Sequence, residues 1–345
     1  MNQSSDVLFT WETIRLKLRT PFKLSYGASM ERVAHWLRFQ GDAAWGEGTI
    51  PPYYHIDEKE MVRYWQRNAS RTDSLPRRVE DIQAWIDPDG PAPARAAVDI
   101  ALHDLVSRKQ GQPLYAALGL PKPARKTSSF TISVDTPEGM AKEALRVSTY
   151  PIIKLKLGSD EEDMARLRAV RDARPDACLL VDANAGWTLD QALAYLPLLS
   201  RAEVALLEQP LPAADFEGLG KLQARTTIPI YADESVRSLL DVQSLAEVGV
   251  RGVNIKLMKV GGLGPALAMI SYAKRATMAI MLGCMIETSI GLTAMSHLAG
   301  LADWLDLDAS LLVTNDPFQG MRMDENAAVH VPNAPGLGVN VREES

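Results

Sequence analysis

The sequence predicts an α/β protein whose larger part is an eight-stranded (β/α) barrel, preceded by a smaller α+β segment. Three observations lead there. From about Lys126, short apolar strands alternate regularly with helical stretches. Charged residues recur near the ends of successive strands at almost even spacing. The chain before Lys126 lacks that alternation and mixes strand-like with helix-like runs.

Within the first part, alternation at Ile14, Leu16 and Leu18, followed by Ala34, Trp36, Leu37 and Phe39, predicts an antiparallel ribbon. PAPARAAVDIALHDLVSRKQG predicts a long helix, with proline near its start and Gly111 as its stop. Ala97, Ile100, Ala101 and Leu105 form its apolar face, and Asp104 is the polar intruder there. The barrel strands are SSFTIS, PIIKLKLG, CLLVDANAG, VALLEQPL, IPIYADES, GVNIKLMKV, AIMLGCMIET and WLDLDASLLV. The tail after Asp316 is rich in Pro, Gly and Asn and is expected to run back over the first domain. The expected domains are 1–125, completed by 317–345, and a catalytic barrel at 126–316.

A formal charge of -6 and the lack of any basic cluster argue against nucleic-acid binding. MNQSSDVLFT does not read as a signal peptide. The apolar run from Leu267 to Ile286 is interrupted by Lys274 and Arg275, so no membrane span is expected. Cys178 and Cys284 read as buried free thiols, which suits the cytoplasm.

Lys156, Asp182, Glu208, Asp233, Lys256, Glu287 and Asp308 are separated by 26, 26, 25, 23, 31 and 21 residues. One charged group per βα unit puts all of them on one rim, the rim where barrel enzymes keep their active sites. Asp182, Glu208 and Asp233 come from neighbouring strands three, four and five. Three hard carboxylates without histidine or thiolate suit Mg²⁺, with Mn²⁺ as a substitute. Asn184 is expected to support them by hydrogen bonding. Lys154 and Lys156 stand at i and i+2 on strand two and share a face. A buried lysine beside another cation is expected to have a lowered pKa and to act as a base. Lys256 belongs to strand six, diametrically opposite strand two in an eight-stranded ring. Two lysines flanking a metal can take an α-proton from one face and return it on the other, the metal stabilising the dianionic enolate beside a carboxylate.

Together, IKLKLG, VDANAGW, LLEQPL, ADES, NIKLMKVGG and GCMIETSIG resemble the enolase superfamily, in its muconate-lactonising-enzyme subgroup. The resemblance covers nearly the whole chain. It implies a modified (β/α)7β TIM-like barrel under an α+β capping domain, with Asp182, Glu208 and Asp233 on the metal (one Mg²⁺ per subunit). It implies Lys156 and Lys256 as the acid/base pair, and Lys154 as a holder of the substrate carboxylate. The subgroup's activities include muconate cycloisomerisation, o-succinylbenzoate synthesis, N-acylamino acid racemisation and dipeptide epimerisation.

WLDLDASLL puts Asp306 and Asp308 on strand eight, two carboxylates suited to a cationic group at the far end of the substrate. This pair resembles the ammonium-binding motif of dipeptide epimerases. The expected function is epimerisation of L,L-dipeptides at the C-terminal residue. In the loop PFKLSYGAS, Phe22 and Tyr26 are expected near the barrel mouth. The resemblance implies an arginine in that loop for an Ala-Glu epimerase; none occurs between Pro21 and Met30, and Lys23 is a partial substitute. The segment GEGTIPPYYHIDE is expected to be flexible; its Tyr53, Tyr54 and Ile56 favour a hydrophobic dipeptide, whereas Glu47 and Asp57 keep a cationic one as the alternative. Met285 and Glu287 are candidate pocket residues. The expected partners are the dipeptide and further copies of the chain in a homo-oligomer, with neither nucleic acid nor membrane.

Overall fold

The computed structural model describes residues 7–24, 27–39, 44–51 and 53–343. Eight parallel strands follow one another in chain order around a single sheet. They are Phe130–Ile132, Ile152–Lys156, Cys178–Asp182, Val204–Glu208, Ile230–Ala232, Gly252–Ile255, Ala279–Gly283 and Trp304–Asp306, barrel strands one to eight below. Ser128 bridges Leu305 in parallel, and Ser129 N–H donates to the Leu305 carbonyl at 2.9 Å, which joins the last strand to the first.

The strand period of two decides where the charges point. Leu180, Leu206, Tyr231 and Met281 meet as a buried cluster, with Ile152 and Trp304 packed against it, as inward-facing residues of a barrel do. Two residues further along the same faces stand Asp182, Glu208, Asp233 and Gly283. Register aligns Lys156 with Asp182, and Asp182 with Glu208. Strand seven ends in glycine for a steric reason: a Cβ at Gly283 would lie 2.6 Å from Asn254 Oδ1 and 3.0 Å from Lys256 Cε.

Strands Phe9–Leu24, Gly27–Phe39 and Ala44–Thr49 form an antiparallel sheet beside the barrel. The third lies so close to the helix Ala92–Lys109 that a Cβ at Gly46 would stand 1.9 Å from the Ala97 carbonyl oxygen. That helix starts with Pro91 and Pro93, where the missing N–H groups leave no bond unmade, and most of its residues are buried. Its polar intruder is satisfied: Asp104 accepts from Trp45 N–H at 3.0 Å, Arg108 Nε at 2.8 Å and Leu337 N–H at 2.7 Å. The tail is thereby tied to the helix Ala92–Lys109. It also reaches the barrel floor, where Ala328–His330 pairs with Lys126–Thr127.

Two expected loops are in part regular structure. Residues 21–24 and 27–29 continue the two cap strands: after a register shift beyond the Lys17–Glu31 pair, antiparallel pairing resumes at Phe22 and Ser29. The segment expected to be flexible begins inside a wholly buried strand, Ala44–Thr49, and near its end Asp57 caps the helix Glu58–Ala69 by accepting from Lys59 N–H at 2.9 Å. No helix among the described residues is long and apolar enough to cross a membrane.

Candidate active site

Asp182, Glu208 and Asp233 are buried together at the barrel mouth, each offering a carboxylate oxygen within 4.8 Å of the others. One oxygen of each is held from behind. Asn184 N–H donates to Asp182 Oδ1 at 2.9 Å, from a turn in which Asn184 has φ +42°. Asn254 Nδ2 donates to Glu208 Oε1 at 2.8 Å, and Lys259 Nζ donates to Asp233 Oδ1. The other oxygens face lysines: Lys156 Nζ is 2.6 Å from Asp182 Oδ2, Lys154 Nζ 2.8 Å from Glu208 Oε2 and Lys256 Nζ 2.8 Å from Asp233 Oδ2.

This charge pattern fits a hard divalent cation. Burial, then the charge of Asp182, pushes Glu208 up to about 7. Lys154 and Lys256 act in the opposite direction without cancelling that push. Burial opposes ionisation of Asp182 as well, yet Lys156 and Lys154 hold it at about 2. Three oxygen donors with fixed outer oxygens match the preference of Mg²⁺ for few carboxylates and retained water.

At Lys154 the expected lowering of the lysine pKa is not found. Burial disfavours the Lys154 ammonium, but Asp306, Glu208 and Asp182 together hold it well above the ordinary lysine value. Lys256 is likewise raised, burial being outweighed chiefly by Asp233. Pairing two lysines in sequence does not make a basic pocket when carboxylates outnumber them in space.

Lys156 and Lys256 both line a cavity of about 60 Å³, with Asp306, Asp308, Asn184 and Asp233. Lys156 ends strand two, and Lys256 directly follows strand six rather than lying on it; the two strands are four apart in the ring, so the two lysines enter from opposite walls. Asp306 ends strand eight and is held on both oxygens, by Ser129 Oγ at 2.7 Å and Lys154 Nζ at 2.7 Å. Asp308 lies on the following turn rather than on the strand, and accepts from Thr131 N–H at 2.7 Å. Burial, then Asp306, pushes Asp308 up to about 6. A larger hollow of about 760 Å³ outside strand one shares Thr131 and Leu312 with this cavity and holds none of the lysines or metal-site carboxylates.

Met285, Ile286, Ala309, Leu312 and Tyr53 give the cavity an apolar upper wall. Several candidates lie elsewhere. Glu287 turns away from the cavity, accepting from Met285 N–H at 2.7 Å, and burial and then Glu47 hold it well above the usual carboxylate range. Tyr54 donates to the Glu234 carbonyl at 3.2 Å instead of entering the cavity, and Ile56 lines a separate hollow. Glu47 and Asp57, the carboxylates that kept a cationic dipeptide in view, are taken up by Thr288 and by a helix cap. Tyr26 and the side chains of Phe22 and Lys23 lie outside the described residues.

Sequence reading passed over Arg32, which lines the cavity two positions before Ala34, on the ribbon face that packs against Ile286 and Val313. It also passed over Lys259. The signal for Lys259 was present, since NIKLMKVGG carries two lysines; the signal for Arg32 needed the register of the cap ribbon.

Residues 139–345 match the enolase C-terminal domain-like family. The chain is 35% identical over 309 residues to an L-Ala-D/L-Glu epimerase of Bacteroides thetaiotaomicron, covering 88% of this chain and 79% of that one. It is 33% identical over 338 residues to a hydrophobic dipeptide epimerase of Roseobacter litoralis, covering 95% and 97%. Among solved structures it superposes with TM-score 0.90 and 28% identity on a dipeptide epimerase of Enterococcus faecalis complexed with Mg and L-Leu-L-Tyr, covering 96% and 99%.

Proposed function

The chain belongs to the enolase C-terminal domain-like family, and on that footing we propose that it is a dipeptide epimerase, an isomerase that inverts the α-carbon of the C-terminal residue. The observation that supports this most directly is the placement of Lys156 and Lys256 on opposite walls of one cavity whose third wall carries Asp306 and Asp308.

An α-proton beside a carboxylate leaves only if the second negative charge is stabilised. Bound Mg²⁺, held by Asp182, Glu208 and Asp233, would supply that stabilisation to the substrate carboxylate. Lys154, buried beside Asp182 and Glu208, adds a fixed ammonium near the same point. One of Lys156 and Lys256, in its neutral form, accepts the proton from one face. The other, as ammonium, donates from the opposite face, and the roles exchange for the reverse reaction. Asp308, with Asp306 behind it, holds the substrate ammonium and keeps the α-carbon between the lysines. The cap covers the mouth through Tyr53 and Arg32 and limits water.

Met285, Ile286, Leu312 and Tyr53 support a hydrophobic C-terminal side chain, and the Roseobacter relative carries that specificity in its name. Arg32 in the same lining favours a second reading, an acidic dipeptide, as the name of the Bacteroides relative states for that protein. The thiols Cys178 and Cys284 are free, in keeping with a cytoplasmic setting.

The test is deuterium incorporation in D₂O with Mg²⁺ and L-Ala-L-Leu, L-Ala-L-Glu and L-Ala-L-Lys. Exchange with inversion at the second residue of the first or second substrate supports the reading and selects the side chain. No exchange in any dipeptide, with exchange in an N-acylamino acid, overturns it.

A further inference from the structure

Lys259 is a lysine whose Nζ is spent entirely inside the protein. Its helical turn, Leu257–Val260, begins directly after Lys256, and Lys259 N–H donates to the Lys256 carbonyl at 3.0 Å. The turn sends the side chain back under the barrel rim, where Nζ donates to Asp233 Oδ1, to the Asp233 carbonyl and, at 3.1 Å, to the Asn254 carbonyl. Three acceptors use all three ammonium protons, and the side chain is buried.

The three metal-site carboxylates are therefore held from behind by unequal groups. Asp182 and Glu208 have neutral donors, the Asn184 N–H and the Asn254 amide. Asp233 alone among the three has an ammonium on its outer oxygen. Asp233 is also the ligand whose inner oxygen contacts Lys256, whereas Asp182 contacts Lys156. Burying an ammonium is costly, so a cation placed there must be recovered by what it holds.

We propose that Lys259 is a positioning residue for half of the proton-transfer machinery: it fixes Asp233 so that one oxygen faces the metal and Lys256 keeps its aim at the α-carbon. This rests on the epimerase reading for its kinetic half only. Without Lys259, Asp233 is free to rotate and engage Lys256 with either oxygen. The metal then loses a pre-set ligand, and the Lys256 face loses its geometry while the Lys156 face, held by Asn184, keeps its own.

The experiment uses the full chain and K259M. Mg²⁺ alone is titrated calorimetrically, and α-proton exchange is followed separately from the L,L- and L,D-dipeptides, with K156A and K256A assigning each epimer to its lysine. Expected are a Mg²⁺ dissociation constant raised about tenfold or more, the range for lost support of a metal ligand, and exchange at the Lys256 face slowed at least several-fold more than at the Lys156 face. Unchanged Mg²⁺ affinity, or equal slowing of both faces, overturns the proposal. Should K259M fail to fold, K259Q, which retains an amide donor without the ionic hold, carries the same expectations. The Mg²⁺ titration needs no substrate, so absence of dipeptide exchange in the wild type would sink the epimerase reading while leaving Lys259 decided.

Discussion

Glu47 on the third cap strand accepts from the Thr288 N–H at 2.9 Å and the Thr288 hydroxyl at 2.6 Å, a pair separated by 241 residues of chain. It also accepts from Gly291 N–H at 3.0 Å, so a cap carboxylate closes the N-terminus of the barrel helix Ser289–Ser296. The loop leading to that helix carries Met285 and Ile286 into the cavity. Cap docking and the upper wall of the site are thus one contact.

E47A should accordingly destabilise the fold, because it leaves buried donors on Thr288 and Gly291 unpaired. At about 1–3 kcal/mol for each such group, the expected loss is roughly 3 kcal/mol or more. Urea unfolding measures it, and a loss below about 1 kcal/mol would show that the bond network does not hold the cap.

The barrel and its charged rim were legible because strand geometry is local. A period of two puts Asp182, Glu208 and Asp233 two residues beyond Leu180, Leu206 and Tyr231, and repetition from strand to strand reveals the shared mouth. What depended on pairing across the chain was not legible. Glu47 read as a free acidic group because nothing nearby in sequence shows Thr288 closing on it. Asp57 is a local case, an N-cap bonded to Lys59 N–H two residues on, whose signal the sequence carried. Glu287 departs for a different, local reason: it lies beyond the end of strand seven, in a turn where its carboxylate bends back to Met285 N–H at 2.7 Å. At Lys154 the neighbouring cation two residues away is outweighed by Asp306, which approaches it across 152 residues of chain and so was not visible in the local sequence.

With Asp308 holding the substrate ammonium, as proposed, substrate binding is expected to depend on pH. Its carboxyl, pushed up to about 6 by burial and by Asp306, is charged at pH 7 and largely neutral at pH 5. Only the charged form attracts an ammonium, so KM for a dipeptide should rise as pH falls, by about tenfold between pH 7 and pH 5. D308N should show a high KM with little of this pH dependence. A wild-type KM that stays flat across the interval would remove Asp308 from ammonium binding.

His297 makes the fold itself acid-sensitive. Its Nδ1 accepts from Tyr115 N–H at 3.3 Å and its Nε2–H donates to the Leu337 carbonyl at 3.0 Å, which fixes the neutral tautomer. Burial lowers it to about 4, below the usual 6.5. Between these values the unfolded chain binds the extra proton, so this contribution is whole above pH 6.5 and is lost as pH falls toward 4. The loss amounts to about 3 kcal/mol. Chemical denaturation of the wild type and H297Q from pH 7 to pH 4 should give a steeper decline in the wild type; parallel curves would count against it.

Arg32 decides between the two side-chain readings. It stands opposite Leu16 on the cap ribbon, and the apolar contact of Leu16, Leu18 and Ala34 with Ile286 and Val313 sets its approach to the cavity. A guanidinium beside an apolar wall favours a substrate carboxylate by a charge-assisted hydrogen bond, about 1.5–3 kcal/mol. R32M should therefore lower kcat/KM for L-Ala-L-Glu by about tenfold or more and leave L-Ala-L-Leu within about threefold, because methionine preserves the contact with aliphatic chains. Steady-state rates on the two substrates measure this. If both fall together, Arg32 supports the cap ribbon and the apolar wall alone selects the side chain.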